Sequence, residues 1–132
     1  MIPNNKSNLK NEIEEIVKLY KQKKLQEALN LSNKLITTNN NVPFLFNLNG
    51  LINLGLENWK NAVSVFQKAI SYDANFVEAY NNLGVAYIHL GDHEKAIKNY
   101  HKAIEIKKDY ANAYNNLATH YDDIGSYNEA VK

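Results

Sequence analysis

Tyr80-Asn81-Asn82-Leu83-Gly84 recurs 34 residues later as Tyr114-Asn115-Asn116-Leu117-Ala118. At the same offset Tyr87 meets Tyr121, Gly91 meets Gly125 and Ala96 meets Ala130. In the other direction Gly50 meets Gly84, Ala62 meets Ala96, Phe66 meets Tyr100 and Ala69 meets Ala103; one step further back Ala28 meets Ala62. A period of this length marks stacked supersecondary units. Four registers follow without insertion, 9–42, 43–76, 77–110 and 111–132, behind a leader at 1–8.

Each register reads as two helices joined by a tight turn. In the third, Val77 to Leu90 contains no breaker except Gly84. Gly91 can take the left-handed conformation that ends a helix, and Asp92 can cap the next one. His93 to Ile106 then carries Ala96, Ile97, Tyr100, Ala103 and Ile104 on one face, the stripe of an amphipathic helix. Pro43 suits a first helical turn, where its missing N–H has no partner to lose. Gly50, Gly84 and Ala118 share one place in the first helix, and Ala28, Ala62, Ala96 and Ala130 share one in the second. Small residues there let helix axes close below the usual ~8–10 Å.

These residues resemble the tetratricopeptide repeat: an aromatic, Leu-Gly, Tyr, Ala, an aromatic and Ala over 34 positions. The third register supplies Tyr80, Leu83, Gly84, Tyr87, Ala96, Tyr100 and Ala103; the fourth supplies Tyr114, Leu117, Ala118, Tyr121 and Ala130. The resemblance weakens in register two and is least in register one. It implies an all-α fold, a right-handed α-solenoid of stacked antiparallel helix pairs, with three full repeats and a truncated fourth. Several positions depart from the pattern. The terminal Pro is replaced by Asn40, Ala74 and Lys108. Asn49 and Asn53 stand at the Leu and Tyr places of register two, so either those amides are buried and hydrogen-bonded or that helix is rotated. Gly55 comes two places early and leaves Glu57 where the turn glycine belongs.

The resemblance also implies a concave groove lined by the first helices, typically holding a peptide or helix of another protein. Places 2, 5, 6, 9, 12 and 13 of each repeat share one helical face. Amides gather there: Asn47, Asn81, Asn82, Asn115 and Asn116, with Asn112 beside them. An Asn side chain offers both acceptor and donor and can pair with a peptide unit in both directions. At Asn82 and Asn116 this resembles the asparagine ladder of O-linked N-acetylglucosamine transferases, and it is equally what repeat consensus in an Asn-rich chain would produce. A second, apolar set comprises Val17, Tyr20, Phe44, Leu48, Leu51, Leu54, Val85 and Ile88; the matching places in register four are Thr119 and Asp122. Such a floor suits a hydrophobic segment bound toward the N-terminal end. Alternatively, residues 1–8 fold back over it, or the register-two helix turns it inward. Glu78, His89 and Asp123 complete the candidate groove residues. A carboxylate clamp for an acidic tail needs basic residues at places 2 and 6, which hold Glu78, Asn82, Asn112 and Asn116 instead.

The 132 residues carry 15 Lys, no Arg and 14 acidic residues, for a charge of +1. That balance argues against a nucleic-acid partner. Cysteine is absent, so disulfides, thiolate zinc sites and cysteine nucleophiles drop out. No run of ~18 apolar residues predicts a membrane span, and a secretory leader is lacking; a cytoplasmic location is expected. Asparagine occurs 22 times, which weakens any functional reading of one amide. His89 and His93 flank a turn, but without Cys or carboxylates in ligand spacing the histidines read as solvated, with no metal. No phosphate loop or nucleophile motif is present, and no cofactor is expected. The expectation is a protein-interaction module without catalysis of its own. The alternatives are the recognition part of a larger enzyme, such as a glycosyltransferase, and a self-assembling scaffold joined through its open C-terminal end. Register four stops inside its second helix, so loosening or contact with another molecule is expected from about Tyr127.

Overall fold

The structure, a computed structural model, describes the backbone of residues 5–130 and the side chains of residues 8–122. Among these residues there are seven α-helices and no strand: α1 Asn5–Lys21, α2 Leu25–Thr38, α3 Pro43–Gly55, α4 Trp59–Tyr72, α5 Val77–His89, α6 His93–Ile106 and α7 Ala111–Ala130. The starts of α3, α5 and α7 are 34 residues apart, as are those of α2, α4 and α6. The molecule is an all-α helical-repeat solenoid. Successive first helices pack on one another, α1 on α3, α3 on α5 and α5 on α7, whereas α2, α4 and α6 do not meet. First helices therefore line the inside of the curve and second helices its outside. No helix is long and apolar enough to cross a membrane among the described residues.

All three intra-repeat turns share one backbone. The amides of Lys24, Asn58 and Asp92 donate to the carbonyls of Leu19, Asn53 and Tyr87, at 2.9, 2.8 and 2.9 Å. This six-to-one bond closes a helix whose next residue is left-handed. Lys23, Glu57 and Gly91 are those residues, with φ of 63°, 62° and 79°. Only the last is glycine. A side chain held in this region costs ~1–2 kcal/mol, and glycine gives back ~0.5–1 in chain entropy. Glu57→Gly should therefore raise Tm by about 2–4 °C; a melt with Tm unchanged or lowered would count against this. Asp92 caps α6 as the sequence implies, its Oδ1 accepting from Lys95 N at 3.1 Å.

The aromatic at place 24 and the glycine at place 8 fit each other. Phe66 is fully buried and Tyr100 nearly so, and a methyl added to Gly50 or Gly84 would overlap the Phe66 or Tyr100 ring. Burial pushes the Tyr100 phenol up to about 12. In the first repeat the sizes are reversed: Ile16 holds the glycine place and Ser32 the aromatic place, and both are 0% exposed. The turns that lack the terminal proline are fastened from the next repeat. Tyr80 and Tyr114 hydroxyls donate to the Ala74 and Lys108 carbonyls at 3.0 and 2.9 Å. In register two Phe46 has no hydroxyl and stacks on Tyr72 instead, with centroids 5.8 Å apart.

Two sequence expectations change here. Residues 5–8 of the expected leader belong to α1, which begins at Asn5; residues 1–4 lie outside the described residues. Register four shows no turn at Gly125, and α7 runs unbroken to Ala130. A continuous α-helix satisfies its own backbone groups along its length. What was expected of side chains from Tyr127 onward falls outside the described ones.

Candidate functional site

The inner face of α3, α5 and α7 carries the amides and arranges them differently from a free ladder. Asn82 Nδ2 donates to Asn47 Oδ1 at 3.0 Å, and Asn116 Nδ2 donates to Asn81 Oδ1 at 2.9 Å. Each bond joins place 6 of one repeat to place 5 of the repeat before it. Asn47 and Asn81 are 7% and 6% exposed; they are inter-repeat fastenings and not groove surface. Leu48 leaves the groove for the same geometric reason. It stands at place 6 of its repeat, faces α1, and packs in the cluster of Ile16, Leu45 and Ile52 with Ile13 beside it. Place 5 therefore points into the following repeat and place 6 toward the preceding one. One inter-repeat step is thus apolar and the next two are amide pairs.

The apolar set at places 9 and 12 is half-buried by neighbouring repeats. Leu51 and Leu54 pack on the Phe66–Leu83 cluster, and Val17 and Tyr20 pack on the first core cluster. The expected greasy floor is largely the seam between repeats. What stays open is a concave pocket of about 160 Å³ between α5 and α7. It is lined by Val85, Ile88, His89, Tyr100, Asn116, Thr119 and His120. Five of the groove residues singled out in the sequence, Val85, Ile88, His89, Asn116 and Thr119, thus meet in one place. Glu78, Asn112 and Asn115 are exposed nearby on the same helices. Asn112 Nδ2 lies 3.4 Å from the Tyr110 hydroxyl, and Thr119 Oγ1 donates to the Asn115 carbonyl at 2.9 Å. Asp123 lies outside the described side chains.

The histidines do not form a pair across their turn. His89 stacks flat on Trp59, with centroids 3.9 Å apart and planes 3° apart. His93 stacks on His120 at 4.9 Å. His120 is buried, 5% exposed, where a solvated residue was expected. It occupies the core place held by Ile52 and Ala86 in earlier repeats, and the His93 ring covers it. Among the described residues no group of three or more His, Asp or Glu could hold a metal ion.

Charge divides between the two faces. α3, α5 and α7 contain no lysine, and their acids are Glu78, Asp122, Asp123 and Glu129. α4 and α6 carry Lys60, Lys68, Lys95, Lys98 and Lys102. The inner face of α3, α5 and α7 is neutral to acidic, α1 carries both signs with Lys10, Lys18 and Lys21 among Glu12, Glu14 and Glu15, and the outer face of α4 and α6 is cationic.

A family model described as tetratricopeptide repeat matches residues 77–110, and a second, described as TPR repeat, matches 50–91. No curated protein matches the chain. Among solved structures, MamA superposes with a TM-score of 0.82 at 25% identity, over 94% of this chain and 72% of that one. The Sgt2 TPR domain from Aspergillus fumigatus gives 0.84 at 18% identity, over 93% and 83%. The first TPR of Spaghetti (RPAP3) bound to the HSP90 peptide SRMEEVD gives 0.80 at 24% identity, over 85% and 89%. The repeat period, the paired helices and these matches agree: the chain carries tetratricopeptide repeats, matched by the family models over residues 50–110.

Proposed function

We propose that this chain is a protein-interaction module whose concave face binds an extended, neutral-to-basic segment of a partner protein. The observation that carries the reading is the absence of lysine from α3, α5 and α7 beside exposed Glu78 and a row of amides. A structural neighbour binds SRMEEVD, a peptide with an acidic stretch. This groove offers such a stretch no cation along α3, α5 or α7 and would repel it through Glu78, which favours a ligand at the other end of the charge scale.

Asn82 and Asn116 are suited to grip the ligand backbone. Each gives one N–H to the preceding repeat and keeps a second N–H and its Oδ1. The inter-repeat bond holds the amide in one rotamer before the ligand arrives, which lowers the ordering cost of binding. Pocket residues Val85, Ile88 and Thr119 would take one modest apolar side chain.

Selecting a phage-displayed random peptide library on the immobilised chain should enrich sequences poor in Asp and Glu. For the best peptide, Asn82→Ala should weaken binding roughly tenfold, from two hydrogen bonds at ~0.5–1.5 kcal/mol each. Asn47→Ala breaks the same inter-repeat bond from its buried side and should change affinity less than about threefold. Acidic enriched peptides, or equal losses from the two variants, would sink the reading.

A further inference from the structure

The outer face holds a feature that the groove does not use. Between α2 and α4, above α3, lies a cavity of about 180 Å³ lined by Leu29, Asn33, Asn49, Asn53, Asn61, Ser64 and Val65. It exists because the large residues of the repeat pattern are missing from it. Asn49 stands for Leu and Asn53 for Tyr. Asn49 and Asn53 are 1% and 3% exposed, so the floor is both buried and polar. The matching cleft of the third repeat is unlike it, lined by Tyr80, Tyr87 and three lysines.

The amides on this floor form a chain with one direction. Asn58 Nδ2 donates to Asn53 Oδ1 at 3.3 Å. Asn53 Nδ2 donates to Asn49 Oδ1 at 2.8 Å, and Asn49 Nδ2 donates to Asn33 Oδ1 at 2.8 Å. Aligned hydrogen bonds polarise one another, so the amide at the end of the chain, Asn33, is the strengthened donor. Asn33 accepts from Asn49 and makes no other bond among the described residues, and Asn61 and Ser64 across the cavity make no side-chain hydrogen bond there. The site thus presents a carbonyl-seeking NH₂ on one wall and an amide and a hydroxyl on the other. No charged side chain lines it, so over the buried Asn49–Asn53 floor a charged group would find no ion-pair partner, while the exposed Asn33, Asn61 and Ser64 are free to meet a neutral one. The volume equals about six waters at about 30 Å³ each, enough for one side chain and too small for an ordinary ligand pocket of ~300 Å³ or more.

We propose that this cavity is a second binding site, on the convex face, for a single neutral amide side chain, Gln or Asn, carried by a partner polypeptide. The incoming carbonyl oxygen accepts from Asn33 Nδ2 and extends the amide chain by one link. The incoming NH₂ donates to Asn61 Oδ1 or Ser64 Oγ. Leu29 and Val65 receive its methylenes.

The test is a ¹⁵N NMR titration of the full chain with N-acetyl-glutamine methylamide, with the matching glutamate and leucine derivatives as comparators. All three share the same backbone amides. The glutamine derivative should shift the side-chain NH₂ signals of Asn33 and Asn61 saturably, with a dissociation constant at least about tenfold lower than the other two. Asn33→Asp keeps an acceptor for Asn49 and removes the donor, and should weaken glutamine binding at least about tenfold. Asn53→Tyr refills the cavity and should abolish it. Equal shifts from all three compounds, no saturable shift from glutamine, or undiminished binding by Asn33→Asp would each overturn the proposal. If Asn53→Tyr fails to fold, Asn33→Asp, whose changed atom sits on an exposed residue, decides alone.

Discussion

Phe66→Ala is expected to cost about 3–5 kcal/mol, the range for deleting a fully buried ring, and to lower the urea midpoint accordingly. Phe66 is 0% exposed and sits in the cluster of Ala62, Leu83 and Ala86, with Leu51, Leu54 and Tyr87 packed around it. It therefore joins α4 to both α3 and α5. A solenoid unit contacts only its neighbours, so losing this ring uncouples the second repeat from the third. Its partner surface is the bare backbone at Gly50, where an added methyl would overlap the ring. Gly50→Ala should in turn cost about 1–3 kcal/mol by overpacking. The two changes share one contact, so their effects should not add: with the ring gone, the methyl introduced by Gly50→Ala has space to occupy. A Phe66→Ala loss under about 1 kcal/mol, or strict additivity, would refute this account of the crossing.

Asn49→Ala is expected to cost about 2–4 kcal/mol, although Asn is far less apolar than the Leu its place calls for. Asn49 Nδ2 donates to Ser32 Oγ and Asn33 Oδ1, both at 2.8 Å, and its Oδ1 receives Asn53 Nδ2. Truncation strands buried partners at about 1–3 kcal/mol each. Asn53 keeps its bond to the Asn49 carbonyl at 3.0 Å and Ser32 its bond to the Leu29 carbonyl at 3.1 Å, which holds the total below the full sum. Replacing the polar groups together should be far milder. Asn49→Leu with Asn53→Tyr should fall within about 1 kcal/mol of the parent chain, because the two most buried amides leave together, Ser32 keeps its bond to the Leu29 carbonyl, and replacing buried partners jointly by well-packed apolar groups is often near neutral. Equilibrium unfolding in urea reads both. A harmless single truncation would show that the network contributes little, and a double variant as unstable as Asn49→Ala would show that the cavity cannot accept the larger side chains.

The sequence made the helices and their order legible because helix starts, turns and small crossing residues are local and recur with one period. Gly91 and Asp92 announce the turn of the third repeat, and the shared offset carries the same geometry to Glu57 and Lys23, which announce nothing. The site was less legible. Asn47, Leu48 and Asn81 lie on the same helical stripe as Asn82 and Val85, but a helical wheel does not say which side of that stripe the next repeat covers. An offset of 35 instead of 34 would have shown Asn47 opposite Asn82 and Asn81 opposite Asn116. The Trp59–His89 and His93–His120 stacks join residues of different helices at the turn side and had no periodic signal to reveal them.

By itself the sequence determined the repeat, its 34-residue length, the helix pairs and the absence of lysine from α3, α5 and α7, since each is a property of residue type and spacing along one chain. Only the tertiary structure decided what the amides do. Asn82 and Asn116 are half-committed to a neighbouring repeat, Asn49 and Asn53 are buried in an amide chain, and Ile16 and Ser32 exchange the sizes that Gly50 and Phe66 carry. These outcomes depend on which group lies within about 3 Å of another across a helix interface. Buried polar atoms must find partners wherever packing puts them, and packing is a property of pairs of helices that no single stretch of sequence contains.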